Sequence, residues 1–117
     1  MGKFFVFAGA IAALAINAQA ITKVACVGNS ITEGYGIWDK KKYPEHLQDM
    51  LGSDYKVENF GHSSQMFHKA SSQSYWNSPK FNAAYEFAPD IVVIELGTND
   101  SKYFYDGQGS SSGYNYM

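Results

Sequence analysis

The chain has 117 residues, a net charge of −2 at pH 7 and an apolar content of 45%. Because eleven acidic residues outnumber nine basic ones, it lacks the basic face that tracks nucleic-acid phosphates, and we predict no nucleic-acid partner. A single cysteine cannot build a disulfide framework, so we expect Cys26 to pack in the core as a small apolar residue.

The amino-terminal residues have the pattern of a secretory signal. Lys3 supplies the positive start, residues 4–16 form an apolar core, and Ala18-Gln19-Ala20 is a small-x-small cleavage site. The apolar core is shorter than the roughly 20 residues that span a bilayer. We therefore predict a signal peptide over residues 1–20, no stable membrane span, and a secreted or periplasmic product.

Three short, apolar, β-rich segments alternate with two segments of helical spacing. The predicted strands are Thr22–Val27, Lys56–Phe60 and Ile91–Leu96, and the predicted helices are Pro44–Leu51 and Pro79–Ala88. Alternation of this kind is typical of a parallel sheet with helices on both faces. The predicted fold is a three-layer α/β/α sandwich.

Both predicted helices have an apolar side that indicates their inner face. In the first helix this side consists of Leu47, Met50 and Leu51 before Gly52 ends the helix. In the second helix, which Ser78 is predicted to cap, it consists of Phe81, Ala84, Tyr85 and Ala88.

The third strand is apolar on both faces, which predicts a central position in the sheet. In the usual doubly wound strand order, the second strand lies on one side of the first and the third strand lies on the other side, where a fourth strand pairs with it. No fourth strand follows, because residues 103–117 form a Gly/Ser/Tyr-rich tail that is predicted to be a loop. We therefore interpret residues 21–102 as the amino-terminal part of a domain that is incomplete at its carboxyl end.

Glycine and polar residues follow each predicted strand. They are Gly28-Asn29-Ser30, Gly61-His62-Ser63 and Gly97-Thr98-Asn99. Serine after glycine is common in turns, but open α/β proteins place their ligands at the carboxyl ends of parallel strands. The three strand ends together therefore predict one ligand-binding site. The long segment from Ser63 to Asn77 carries aromatic residues that either line a sugar or acyl pocket or pack beneath the loop.

These residues resemble the SGNH, or GDSL-like, hydrolases. GNSITEG is similar to the first block of that family, Gly61 within NFGHS to the second and GTND to the third, in the family's order between Val24 and Lys102. FAPDIVVIELGTNDSK is similar to carbohydrate O-acetylesterases, including sialate O-acetylesterase-like members. The resemblance implies a flavodoxin-like SGNH fold and an exported serine esterase. Its expected substrates are small-molecule or glycan acyl esters, mainly O-acetyl esters of carbohydrates.

The resemblance also implies the role of each site residue. Ser30 is the expected nucleophile, which forms an acyl-enzyme, and the oxyanion hole comprises the N–H groups of Ser30 and Gly61 and the side-chain amide of Asn99. Asn29 stands where the commonest motif has aspartate, and we expect it and His62 to border the substrate. No cofactor or metal is expected, since the histidines lack a ligand spacing.

The catalytic base is the missing part of the pattern. The family's last block, Asp-x-x-His, has no counterpart in the 117 residues, and His46, His62 and His68 are the histidines that remain as candidates. Two alternatives to an active esterase therefore stay open. In the first alternative the chain is a non-catalytic module that binds a glycan, and in the second it is a truncated product without activity. The sequence assigns no oligomeric state.

Overall fold

The computed structural model describes residues 19–105, so most of the predicted signal peptide and the tail from residue 106 lie outside the described residues. The elements are β1 (Thr22–Gly28), α1 (Ser30–Glu33), α2 (Tyr43–Leu51), β2 (Tyr55–Gly61), α3 (Pro79–Glu86), β3 (Ile91–Glu95) and α4 (Thr98–Tyr105), with a 3₁₀ turn at Tyr75–Asn77. No helix in this range has both the length and the apolar character that a membrane crossing requires.

The three strands form one parallel sheet in the order β2-β1-β3. Thr22 lies opposite Tyr55, and Val24 lies opposite Ile91. Because parallel crossovers are right-handed, a change of direction in strand order places the connecting helices on opposite faces. The predicted α/β architecture and strand order are therefore confirmed.

The best-buried core lies between the sheet and α3. It comprises Ala25, Val27, Phe60, Tyr75 and Ala84. Tyr75 comes from the long loop after β2, and its hydroxyl donates to the Phe60 carbonyl at 2.6 Å. Burial raises the pKa of Tyr75 to about 12, so it remains a neutral donor. This aromatic residue packs beneath the loop.

Cys26 is fully buried in β1, as predicted for a small apolar residue. Burial raises the pKa of its thiol, although a hydrogen bond with Tyr43 partly offsets this effect. A protonated, enclosed thiol is a poor nucleophile. Cys26 is therefore a packing residue.

The structure agrees with the predicted cap of α3 but not with all of the predicted buried faces of the helices. Ser78 caps α3 by accepting the Lys80 N–H at 3.1 Å, as predicted. Met50 and Tyr85, however, are 76% and 80% exposed, because the part of the chain described here has no layer that covers them. α3 also ends at Glu86, before Ala88, whose φ of 50° is left-handed.

β3 is an edge strand among the described residues, so its predicted central position is corrected. It pairs with β1 alone, and the side chains of Ile91–Ile94 are 37–59% exposed. The loop predicted over residues 103–117 is corrected only for residues 103–105, which continue α4 to Tyr105, and the rest of it lies outside the described residues. No glycine or proline interrupts residues 98–105, which permits the helix.

Candidate active site

The carboxyl ends of the three strands meet at one edge of the sheet. Gly28 lies opposite both Gly61 and Glu95. Just beyond the strands, the His62 N–H donates to the Gly28 carbonyl at 2.9 Å, and the Asn29 N–H donates to the Glu95 carbonyl at 3.3 Å. The residues that follow the strands therefore share the edge where α/β proteins bind ligands.

Ser30 is the first residue of α1, a single helical turn directly after β1. Asn29 caps this turn, since its Oδ1 accepts the Ile31 N–H at 2.9 Å. Gly34 ends it in the left-handed conformation, and its N–H donates back to the Ser30 carbonyl at 2.9 Å. The Ser30 N–H precedes the first donor of the helix's own hydrogen bonds. This placement suits an oxyanion donor.

Asn29 has a structural role in this geometry. Its side chain is 1% exposed, and its Nδ2 has no hydrogen-bond acceptor among the described residues. The side chain is therefore enclosed beneath the serine turn, and the expectation that Asn29 borders the substrate stays a prediction. An aspartate would offer the same cap acceptor, but it would place a charge in the enclosed position.

Gly28 and Gly61 let α1 lie directly against the strand ends. A Cβ on Gly28 would come within 2.7 Å of the Glu95 carbonyl oxygen, and a Cβ on Gly61 within 2.7 Å of the Glu33 Cα. Cβ atoms essentially never approach other atoms that closely. Any side chain at either position would therefore displace α1, which carries Ser30.

Asn59 joins β2 to α1 with both ends of its side chain. Its Nδ2 donates to the Thr32 carbonyl at 2.7 Å, and its Oδ1 accepts the Gly61 N–H at 2.8 Å. The Gly61 N–H expected in the oxyanion hole is therefore already engaged, and it can serve there only as a donor shared between two acceptors. We did not predict this role from the sequence, although an Asn two residues before a glycine is typical of an Asx turn.

Asn99 and Asp100, at the start of α4, hold the loop that follows β2. Asn99 Nδ2 donates to the Gln65 carbonyl at 2.9 Å, and the Asp100 carboxylate accepts the N–H groups of Phe67 and His68 at 2.9 and 2.8 Å. An amide nitrogen carries two N–H donors. Asn99 can therefore hold the loop with one and offer the other to an oxyanion.

Carboxylates also join the elements around the site. Glu33 at the end of α1 accepts both the N–H, at 2.9 Å, and the hydroxyl of Ser63. Glu95 at the end of β3 accepts the hydroxyls of Thr98 and Thr32 at 3.3 and 3.5 Å. These contacts fix the Ser30 turn between the two neighbouring strand ends.

Two of the three histidines, His62 and His68, make hydrogen bonds to neighbouring residues. His62 Nδ1 lies 2.5 Å from the hydroxyl of Ser78, so only Nε2 remains for the substrate contact expected of this residue. His46 is exposed on α2, and His68 Nδ1 accepts the Ala70 N–H at 3.2 Å. Among the residues the structure describes, no group of three His, Cys, Asp or Glu side chains could hold a metal ion.

An apolar groove of about 660 Å³ lies between α3, β3 and the loop after β2, and it includes neither Ser30, Gly61 nor Asn99. Its aromatic and aliphatic walls include Phe67, Trp76, Phe81, Tyr85, Val92 and Ile94. The loop aromatics therefore face this groove and the core, and the edge of the sheet that carries Ser30 is a separate surface.

The parallel sheet and the serine turn at its carboxyl edge define an α/β protein with the expected SGNH architecture. The sequence profile of the GDSL-like lipase/acylhydrolase family matches residues 26–116. The chain therefore belongs to this family, and the resemblance seen in the sequence is confirmed.

An acetylxylan esterase of Xylanibacter ruminicola is 49% identical to the chain over 82 residues. The matched region covers 68% of this chain and 17% of the length of that relative. No solved structure matches the chain.

Proposed function

We propose that the protein is an exported serine esterase that removes acyl groups, foremost O-acetyl groups, from carbohydrate. The observation that carries this proposal is the position of Ser30, at the start of a helical turn where three parallel strand ends meet, in a chain of the GDSL-like family. The name of the acetylxylan esterase relative supports an acetylated polysaccharide as the substrate class. Residues 1–20 are proposed to direct export.

In the proposed reaction the Ser30 hydroxyl attacks the ester carbonyl carbon and loses its proton to a base. The carbonyl oxygen becomes an oxyanion that accepts hydrogen bonds from the Ser30 N–H and the Asn99 amide, with Gly61 as a shared donor. Collapse of the intermediate breaks the bond to the sugar oxygen, which takes up the proton. Water then cleaves the acetyl-serine and releases acetate, regenerating Ser30.

The base of this reaction is assigned to an Asp-x-x-His block like that of the family, which these 117 residues lack. Activity measurements therefore use the natural protein, with its gene sequenced beyond codon 117 and its intact mass determined. A reading frame that continues to Asp-x-x-His would supply the base. A verified stop after Met117 would favour a second candidate, a glycan-binding module without turnover.

The proposal is tested by labelling the natural protein with a fluorophosphonate and by measuring acetate release from acetylated xylan. We expect one label per chain, located on Ser30 by peptide mass, and none in the Ser30→Ala variant, because only an activated serine reacts with the probe. Acetate release should stop when the label is complete. Undiminished release by fully labelled protein, or a label on another serine, would overturn the assignment.

We predict that Asn99→Ala lowers kcat by roughly 10²–10³ with little change in KM, since it removes a donor that strengthens its bond as charge develops. Asp100→Ala is the matched control, because it loosens the same loop and leaves the Asn99 amide intact. Rates on an aryl acetate distinguish the two roles. Equal losses in both variants would show that Asn99 acts only by holding Gln65.

A further inference from the structure

The loop of residues 34–42 lies at the same sheet edge as Ser30. It begins where α1 ends and leads into α2, which runs back to the amino edge before β2 starts at Tyr55. The Tyr35 N–H donates to the Ser30 carbonyl at 3.0 Å, next to the Gly34 bond described above. Tyr35 is therefore anchored to the residue that carries the proposed nucleophile.

Two large aromatic side chains of this loop are exposed. Tyr35 and Trp38 are 68% and 70% exposed, and they pack edge to face with ring centroids 5.2 Å apart. The turn between them is held by the Ile37 N–H, which donates to the Gly34 carbonyl at 3.2 Å. The two rings are therefore held in place before a ligand binds, so binding would cost little side-chain entropy.

We propose that Tyr35 and Trp38 form a carbohydrate platform that stacks on the apolar C–H face of a sugar ring next to the ester. This inference rests on the proposed esterase function and names how it recognises the polysaccharide. An edge-to-face pair leaves ring faces open for such stacking. Within residues 19–102, neither the Tyr35 hydroxyl nor the Trp38 indole N–H bonds to a protein acceptor, so both can bind sugar hydroxyls.

The surroundings of the pair favour a sugar over other occupants. The exposed residues Asp39, Lys40 and Lys41 follow it directly, so the surface is too polar for a long acyl chain. Two side chains also offer far less area than the roughly 800 Å² per partner of a stable protein interface. A small ring with one apolar face and polar edges matches both conditions.

Trp76 provides the matched comparison for Trp38. It is 41% exposed, but Phe81 packs on it at 5.2 Å between centroids, and the Lys69 ammonium lies 5.7 Å from its centroid. Its indole N–H donates to the Phe67 carbonyl at 3.2 Å. Because neighbouring groups already engage its ring and its donor, Trp76 is not expected to bind the sugar.

The test is calorimetric titration of the natural protein with a xylo-oligosaccharide that carries no acetyl groups. Trp38→Ala and Tyr35→Ala are each expected to raise Kd about tenfold, as is Trp38→Leu, which keeps apolar area but loses the flat ring. Trp76→Phe should bind like the parent protein. In turnover, Trp38→Ala should lower kcat/KM on acetylated xylan about tenfold relative to kcat/KM on an aryl acetate, because the aryl acetate has no sugar ring to stack on the platform.

The outcomes separate the platform from the esterase. Binding that survives in all three platform variants while the parent hydrolyses esters would overturn the platform alone. Sugar binding that depends on Trp38 in a protein without any hydrolysis would support the platform and overturn the esterase. Loss of binding in Trp76→Phe equal to that in Trp38→Leu would place the sugar in the apolar groove and refute the assignment.

Discussion

Hydrolysis of a short-chain aryl acetate by the natural protein is expected to fall about 10³-fold or more when Ser30 becomes alanine. The nucleophile and its base act as a unit, and loss of the nucleophile alone removes most of the turnover that covalent catalysis provides. What remains would come from the oxyanion donors and from binding. Initial rates at saturating substrate give this comparison directly.

The Ser30→Ala variant should keep the fold, because Asn29 and Gly34 supply the capping contacts that hold α1. A melting temperature equal to the parent's would show that the lost rate is chemical. Ser53→Ala, an exposed serine in the turn between α2 and β2, is the control and should retain full activity. Equal rates in the Ser30 variant and the parent would refute the nucleophile assignment.

Gly61→Ala is expected to lower both the stability of the protein and its turnover. The added methyl would lie 2.7 Å from the Glu33 Cα, so α1 must move, and overpacking of this kind costs about 1–3 kcal/mol. The same movement displaces Ser30 from the strand ends, so kcat should fall further than stability alone explains. Thermal melts and aryl acetate kinetics measure the two effects.

Gly52→Ala is the matched control for that steric effect. Gly52 combines a φ of 77° with a ψ of −166°, a region that essentially only glycine adopts, but it has open space around its Cβ position, so alanine there costs about 1–3 kcal/mol of backbone strain without a clash. It lies in the turn at the opposite edge of the sheet, and turnover should be unchanged. The two variants should lose similar stability, so turnover separates them, and a Gly61 variant that keeps full turnover like the Gly52 variant would contradict the tight packing of α1.

The fold could be predicted from local signals wherever those signals were strong. Proline and serine at the start of α3 and the unbroken apolar run of β3 fixed the type and order of the elements. The short helix α1 escaped prediction because four residues carry no period. The burial of Met50 and Tyr85 was predicted wrongly because amphipathic spacing assumes a covering layer, which depends on tertiary contacts.

The site could be predicted only as a set of converging residues. Parallel strands bring their ends to one edge, so the meeting of Ser30, Gly61 and Asn99 near that edge follows from topology. The different roles of the three asparagines do not follow from topology, because each role depends on which groups surround the side-chain amide. Asn29 caps α1, Asn59 accepts a hydrogen bond from the Gly61 N–H, and Asn99 donates one amide hydrogen to the Gln65 carbonyl in the loop after β2.

The parallel pairing of β1 with β3 also determines when the site forms during folding. The contact between Lys23 and Asp90, where these strands begin, spans 67 residues, whereas that between Thr32 and Asn59 spans 27. Closing such long loops is slow, and it can occur only after the distant segment has been synthesised. Ser30 thus emerges early from the ribosome but lacks the Asn99 donor until the third strand docks. The proposed oxyanion hole is therefore incomplete in a nascent chain until α4 has been synthesised and β3 has paired with β1.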